Sequence, residues 1–128
     1  MEDCIFDKIV RGELPSYKIY EDDKFMSFLD IHPRTRGHAL VIPKKHYQWV
    51  YDVPEFGEYW EVALKVTKAQ LKALNAEFIS YVTYGLDVPH AHIHVIPRYK
   101  EKELVPGIIK VPPDEMKVIT EKLKKELI

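Results

Sequence analysis

At 128 residues, with 46% hydrophobic and 30% charged side chains, the chain has the size and balance of one globular domain, since domains run to roughly 100–150 residues, and it lacks the composition of a disordered chain. A formal charge of −1, from 19 basic and 20 acidic residues, excludes the basic excess by which nucleic-acid proteins hold phosphate backbones. No apolar run approaches the roughly 20 residues of a membrane-spanning helix, and the opening Met1-Glu2-Asp3 is not the basic start of a signal peptide.

The single cysteine, Cys4, rules out an internal disulfide and suits a reducing compartment, so a soluble cytoplasmic protein is expected, with neither nucleic-acid polymer nor membrane among its partners.

The segment CIFDKIVRGELP places Ile5, Phe6, Ile9 and Val10 at helical spacing and is stopped by Gly12 and Pro15, which predicts a brief helix and a turn. SYKIYED and KFMSFLDI then predict a hairpin turning at Glu21-Asp22-Asp23. GHALVIP, bounded by Gly37 and Pro43, has the continuous apolar character of a buried strand. Between Pro54 and Asn75 the residues Phe56, Tyr59, Trp60, Ala63, Leu64, Leu71 and Leu74 follow one helical face, with Thr67 the polar exception. EFISYVTY and HAHIHVIP, joined by the short GLDVP connection, predict two antiparallel strands. In PPDEMKVITEKLKKELI, Met116, Ile119, Leu123 and Leu127 repeat at helical spacing, with acids early and lysines late. The order of elements points to an antiparallel sheet covered by helices, an α+β fold.

His90, His92 and His94 alternate with Ala91, Ile93 and Val95, so on a strand the three imidazoles share one face, roughly 6.6–7 Å apart per two-residue step, and the apolar residues share the other. Half of the six histidines on one face favours chemistry over incidental placement. A zinc centre built from all three is disfavoured, because a straight strand spreads His90 and His94 too far for ligands held near about 2.0–2.1 Å to converge. Phosphoryl transfer fits better: a neutral imidazole can attack phosphorus while its neighbours orient it and move protons.

This His-Ala-His-Ile-His-Val-Ile run, residues 90–96, resembles the signature of the histidine triad (HIT) family, nucleotide hydrolases and transferases acting at the α-phosphate. The similarity extends through CIFDKIVRGELPSYKIYEDDKFMSFLDIHPRTRGHALVIPKKHY and through HVIPRYK, from about Cys4 to Lys100. It implies a single HIT domain over residues 1–128, with a core at 4–100 and a C-terminal helical extension at 101–128. The implied fold is a five-stranded antiparallel sheet with flanking helices, pairing into a homodimer.

By the same resemblance His92 is the nucleophile that forms a nucleotidyl-enzyme intermediate, His94 contacts the α-phosphate and leaving group, and His90 completes the triad. His38 matches a fourth histidine supporting the proton network. Phe28, Leu29, Asp30 and Ile31 match the nucleoside pocket, with Asp30 taking the ribose hydroxyls, a role that suits a carboxylate at the end of an apolar strand. Ile5, Phe6 and Leu14 match further pocket positions, although core packing accounts for each equally well. The expected partners are a purine mononucleotide or its conjugates, phosphoramidates or dinucleoside polyphosphates, and the implied chemistry needs no cofactor.

The chain departs from the family pattern before the triad. YVTYGLDVPH is shorter than the usual loop, with Leu86 where Gln is expected; Thr83 is then the candidate for the amide position near the phosphate, and Asp87 stands where Ser, Thr or Glu is usual. An aspartate facing phosphate would repel it, so an alternative function is a catalytically weak nucleotide-binding regulatory or interaction module. Some relatives hold a structural zinc at positions that in this chain are Cys4, Asp7, His46 and His90. Aspartate ligates zinc but weakens the soft-ligand preference, and the residues leave open both a zinc site and its alternative, a buried thiol, a surface acid and a packing histidine. A zinc hydrolase built on the triad is a third reading, and His32 carries no assigned role.

Overall fold

A computed structural model describes residues 3–127. In chain order it has helix α1 (Ile5–Val10), strands β1 (Lys18–Glu21), β2 (Phe25–Leu29) and β3 (Ala39–Pro43), a short 3₁₀ turn (Val50–Asp52), helix α2 (Phe56–Leu74), strands β4 (Phe78–Thr83) and β5 (Ile93–Arg98), and helix α3 (Pro113–Glu126). The strands form one sheet in the order β1-β2-β3-β5-β4, with every neighbour antiparallel. This is the five-stranded antiparallel sheet with flanking helices that the sequence predicts.

Strand alternation sorts side chains into two layers. Phe25, Leu29, Ala39, Val41, Ile93 and Val95 face α2 and α3 in the larger core, where they meet Tyr59, Val62, Ala63, Val66, Met116, Ile119 and Leu123. Met26, Phe28, Leu40 and Ile42 face the other way and pack with Phe6 of α1. Buried α2 polar groups find strand partners: Tyr59 stacks on Phe25 at a centroid distance of 5.2 Å and donates its hydroxyl to the Val41 carbonyl at 2.8 Å. Gln70 donates to the carbonyls of both Gly37 and Val95, at 3.0 and 2.9 Å, linking the start of β3 to β5.

The helix boundaries follow local chemistry. Asn75 ends α2 in the left-handed conformation, φ 57°, which asparagine tolerates better than most residues. Pro113, with Asp114 and Glu115, opens α3, and Lys124 and Lys125 close it, complementing the helix dipole. Residues 101–112 are irregular, so the C-terminal extension is helical only from Pro113 onward, and its Met116, Ile119 and Leu123 are buried in the main core.

One predicted element is shorter than expected. The sequence places His90 and His92 on a strand, but β5 begins at Ile93. The register Val41↔Ile93 would next set Ala91 opposite Pro43, which has no N–H to offer the ladder. Ala91 N–H instead donates to the Tyr47 carbonyl at 2.6 Å.

Gly37 has φ +91°, and a Cβ there would run into Leu74 Cδ1. Gly37→Ala should therefore lower unfolding stability by about 1–3 kcal/mol, measured as an earlier urea midpoint with unchanged slope.

Candidate active site

The two residues before β5 fix the site. His92 lies at the entry to β5 and is 6% exposed; its Nδ1–H donates to the carbonyl of His90 at 2.7 Å. That bond assigns the tautomer and leaves Nε2, with its lone pair, as the ring nitrogen free for chemistry. Phe6 of α1 packs edge-on against both His90 and His92, with centroids 5.8 and 5.3 Å away.

His94, on β5, works with His38, which precedes β3 and is 1% exposed. The Arg34 backbone N–H donates to His38 Nδ1 at 3.0 Å, so His38 carries its proton on Nε2 and donates it to His94 Nδ1 at 2.9 Å. His94 is thereby left with Nε2–H as a donor. Burial, then the neighbouring His94 and Arg34, hold His38 down at about 3. Burial, then His92 and Arg34, hold His94 at about 4. Both rings are neutral near pH 7, one presenting a fixed donor next to the free lone pair of His92, 5.0 Å away between centroids.

His92 and His94 line a cavity of about 600 Å³, within the range of small-molecule sites. One end is apolar: Ile5, Phe6, Ile9, Leu14 and Phe28. Asp30, directly after β2, lines it too; burial raises its pKa although the His32 N–H donates to Oδ1 at 2.9 Å. Leu29 and Ile31 complete this wall, with Ile31 largely exposed. Ile5 and Leu14 are exposed into the cavity and Phe6 is buried, so the first two contribute as lining and the third as support.

The predicted residues divide into groups. His92, His94, His38, Asp30 and the apolar set come together. His90 does not join them; its ring, fully buried, sits in a separate cluster beside α1. Thr83 stays outside the cavity: its register partner is Ile93, so it faces α2, while Val82 and Tyr84 line the cavity. A strand flips successive side chains, and the sequence alone does not reveal which parity faces the histidines. Asp87 does line the cavity. His32, Arg34, Val88, Val105 and Ile108 line it as well, unforeseen in the sequence because all five belong to irregular segments.

The second cluster gathers Cys4, Asp7, His46 and His90, whose donor atoms all lie within 4.8 Å of one another. A capping box at α1 creates half of it: Asp7 N–H donates to Cys4 Sγ at 3.3 Å and Cys4 N–H to Asp7 Oδ2 at 3.1 Å. His90 Nε2–H donates to the Pro43 carbonyl at 2.7 Å, which turns its Nδ1 lone pair toward Cys4 Sγ at 3.2 Å and Asp7 Oδ1 at 3.3 Å. His46 Nδ1 stands 3.0 Å from Asp7 Oδ2 and 3.7 Å from Cys4 Sγ.

Tetrahedral zinc with nitrogen, oxygen and sulfur ligands has ligand separations of about 3.3–3.6 Å, close to these. The backbone acceptor behind His90 is the usual outer support of a ligating imidazole. Burial raises the Cys4 thiol pKa; it pushes Asp7 up as well, but hydrogen bonds from Cys4 and His46 outweigh it and leave Asp7 below its ordinary value. The donor set fits a zinc ion.

A family model, the HIT domain, matches residues 11–101. The chain belongs to the HIT family. An uncharacterised HIT-like protein of Borreliella burgdorferi is 44% identical over 78% of this chain and 78% of its own length. An adenosine 5′-monophosphoramidase of Schizosaccharomyces pombe is 32% identical over 97% of this chain and 98% of its own. The crystal structure of a zinc-bound histidine triad protein from Mycobacterium smegmatis superposes with a TM-score of 0.82 at 33% identity, covering 98% of this chain and 93% of that one. Among the described residues no helix is long and apolar enough to cross a membrane.

The neutral pair His38–His94 sets a pH dependence. Both rings titrate near 6.5 in an unfolded chain and only at about 3 and about 4 when folded, so acid unfolding takes up protons and stability falls as pH drops from 6.5 toward 4, with no contribution from these groups above that window. Urea unfolding from pH 7 to 4.5 should show this decline, and His38→Gln should make it shallower.

Proposed function

We propose that this HIT protein hydrolyses nucleoside monophosphate conjugates, adenosine phosphoramidates in particular, through a covalent nucleotidyl-His92 intermediate. The observation that carries the reading is the hydrogen bond from His92 Nδ1 to the His90 carbonyl, which leaves a nucleophilic Nε2 in a cavity that also contains Asp30 and an apolar wall. The apolar end takes the base, and Asp30 accepts from the ribose hydroxyls. His92 Nε2 bonds to the α-phosphorus as the phosphorus–nitrogen bond to the leaving amine breaks. Water then takes the nucleotidyl group from His92, so each water consumed releases one nucleoside monophosphate and one amine. The His94 Nε2–H, fixed by His38, donates to the phosphate and leaving group. The name of the S. pombe relative supports the substrate class.

Asp87 in the cavity favours a second reading, a nucleotide-binding module with little turnover, because its charge opposes the phosphate. With a fluorogenic adenosine phosphoramidate, the wild type should release amine and His92→Asn should lose at least about a thousandfold in kcat/KM, while acid-quenched mass spectrometry of the wild type should find the nucleotidyl group on His92. Tight binding without turnover in either protein would sustain the module instead.

Zinc at Cys4, Asp7, His46 and His90 is proposed as structural, since its ligands exclude His92 and His94. We also assign pairing of two copies to the apolar residues left exposed on α2 and β4: Phe56, Leu64, Leu71, Phe78 and Tyr81. Native mass spectrometry of the purified protein reads both: twice the 15.1 kDa chain with one zinc per chain. Asp7→Ala should lose the zinc and melt earlier with amidase chemistry retained below its melting point.

A further inference from the structure

The cavity does not end at the histidines. Along the same face of β5, His92 and His94 are followed by Ile96 and then Arg98, each step roughly 6.6–7 Å further on. Past His94 along β5 the cavity is lined by Ile96, with Val82 of β4 across from His94, and it is lined as well by Val105 and Ile108. Val105 and Ile108 belong to the irregular segment between β5 and α3, and they are 42% and 61% exposed. Two apolar side chains held open on a cavity wall point to an apolar ligand that covers them.

That segment has no regular structure, yet it is fastened at both ends of its cavity-facing portion. Arg98 is 3% exposed. Its Nη1 donates to Ser80 Oγ at 2.9 Å and the Leu104 carbonyl at 3.4 Å, and its Nη2 to the carbonyls of Glu101, at 2.9 Å, and Glu103. Its guanidinium also lies 5.3 Å from the centre of the Phe78 ring. A buried guanidinium thus directs donors at three carbonyls of one loop, and among the described residues its one carboxylate neighbour is Glu101, 3.6 Å from Nε. On the far side, Arg34 Nη1 donates to the Pro106 carbonyl at 2.7 Å and Ile109 N–H to the Pro33 carbonyl at 2.8 Å. Val105 stands between these two sets of tethers, and Ile108 between the two contacts of the second.

We propose that the loop following β5 forms an apolar subsite for the leaving group of the substrate, and that Arg98 is the positioning residue that holds it. The inference rests on the reading that a nucleotide sits with its phosphate at His92 and its base toward Phe6 and Phe28. The side of the phosphate beyond His94 is then where the departing amine lies, and an aliphatic or aromatic amine matches Val82, Ile96, Val105 and Ile108.

The test is equilibrium binding, in a His92→Asn background that prevents turnover, of two conjugates that differ only in the leaving group: unsubstituted adenosine 5′-phosphoramidate and its N-hexyl derivative. The hexyl conjugate should bind at least about tenfold more tightly, as expected for roughly two buried methylenes. Ile108→Ser, an exposed position that the fold tolerates, should pull the ratio of the two affinities toward one. Arg98→Gln should do the same, and Arg98→Lys should not restore the ratio, because a single ammonium cannot reproduce a fork of donors. Equal affinities before any loop substitution would overturn the subsite. A parallel loss of both affinities in Arg98→Gln, with their ratio kept, would reduce Arg98 to general support and overturn its positioning role. Binding of neither conjugate would remove the nucleotide reading itself.

Discussion

The hydrogen bond from His92 Nδ1 to the His90 carbonyl exists because β5 begins at Ile93, three residues later than the histidine pattern suggests. Inside a ladder, backbone acceptors are taken by the neighbouring strand. Pro43 opposite this stretch has no N–H, so the β5 side of the ladder closes at Ile93. The carbonyl of His90, which by strand alternation would face β4, lies beyond the last β4–β5 pair, Thr83 with Ile93, and accepts from an imidazole instead. Pro43 contributes again through its own carbonyl, which accepts from His90 Nε2. One end of a ladder thereby fixes the tautomers of two histidines, one left with a lone pair toward the cavity and the other with a lone pair toward Cys4 and Asp7.

The same alternation that puts three histidines on one side of the chain divides their work. His90 faces a thiol and a carboxylate, His92 a cavity, and His94 a neutral imidazole. Burial depresses the pKa of both His90 and His94, which favours the neutral form of each ring. The Arg34 N–H to His38 to His94 sequence of hydrogen bonds has one consistent direction, since a backbone amide can only donate. Orientation of the His94 proton is thus set by the loop that precedes β3.

Much of this was legible from residue order. Apolar patterns located the sheet strands and the long helices: β2 is buried on both faces, and of the face predicted for α2, Tyr59 and Ala63 are buried whereas Phe56, Leu64 and Leu71 are exposed. The triad and Asp30 were legible for a different reason, as polar groups set among apolar neighbours that do not explain them. Thr83 failed the test of parity, since a short loop shifts which strand side faces the histidines and nothing local reports the shift. His32, Arg34, Val105 and Ile108 were missed because irregular segments have no period. Their placement depends on distant acceptors and donors such as Pro106, Pro33 and the guanidinium of Arg98, and tertiary contacts of that kind leave no trace in neighbouring residues.

Helix α1 connects the two clusters. Six residues are too few to be stable alone, yet α1 supplies Ile5 and Ile9 to the apolar end of the cavity, Phe6 to the edges of His90 and His92, and, with its cap, Cys4 and Asp7 to the donor set. Its position is therefore fixed by packing on β2 and β3 and by the polar contacts of its first turn. A cation bridging Cys4 and Asp7 to His46 and His90 would tie that turn to the segment after β3 and to the start of the triad. The apolar wall of the cavity would then be anchored next to His92 and the start of β5, with His92 and His94 outside the donor set. In that arrangement a weaker, aspartate-containing site would loosen the apolar end of the cavity before it disturbed His92 and His94.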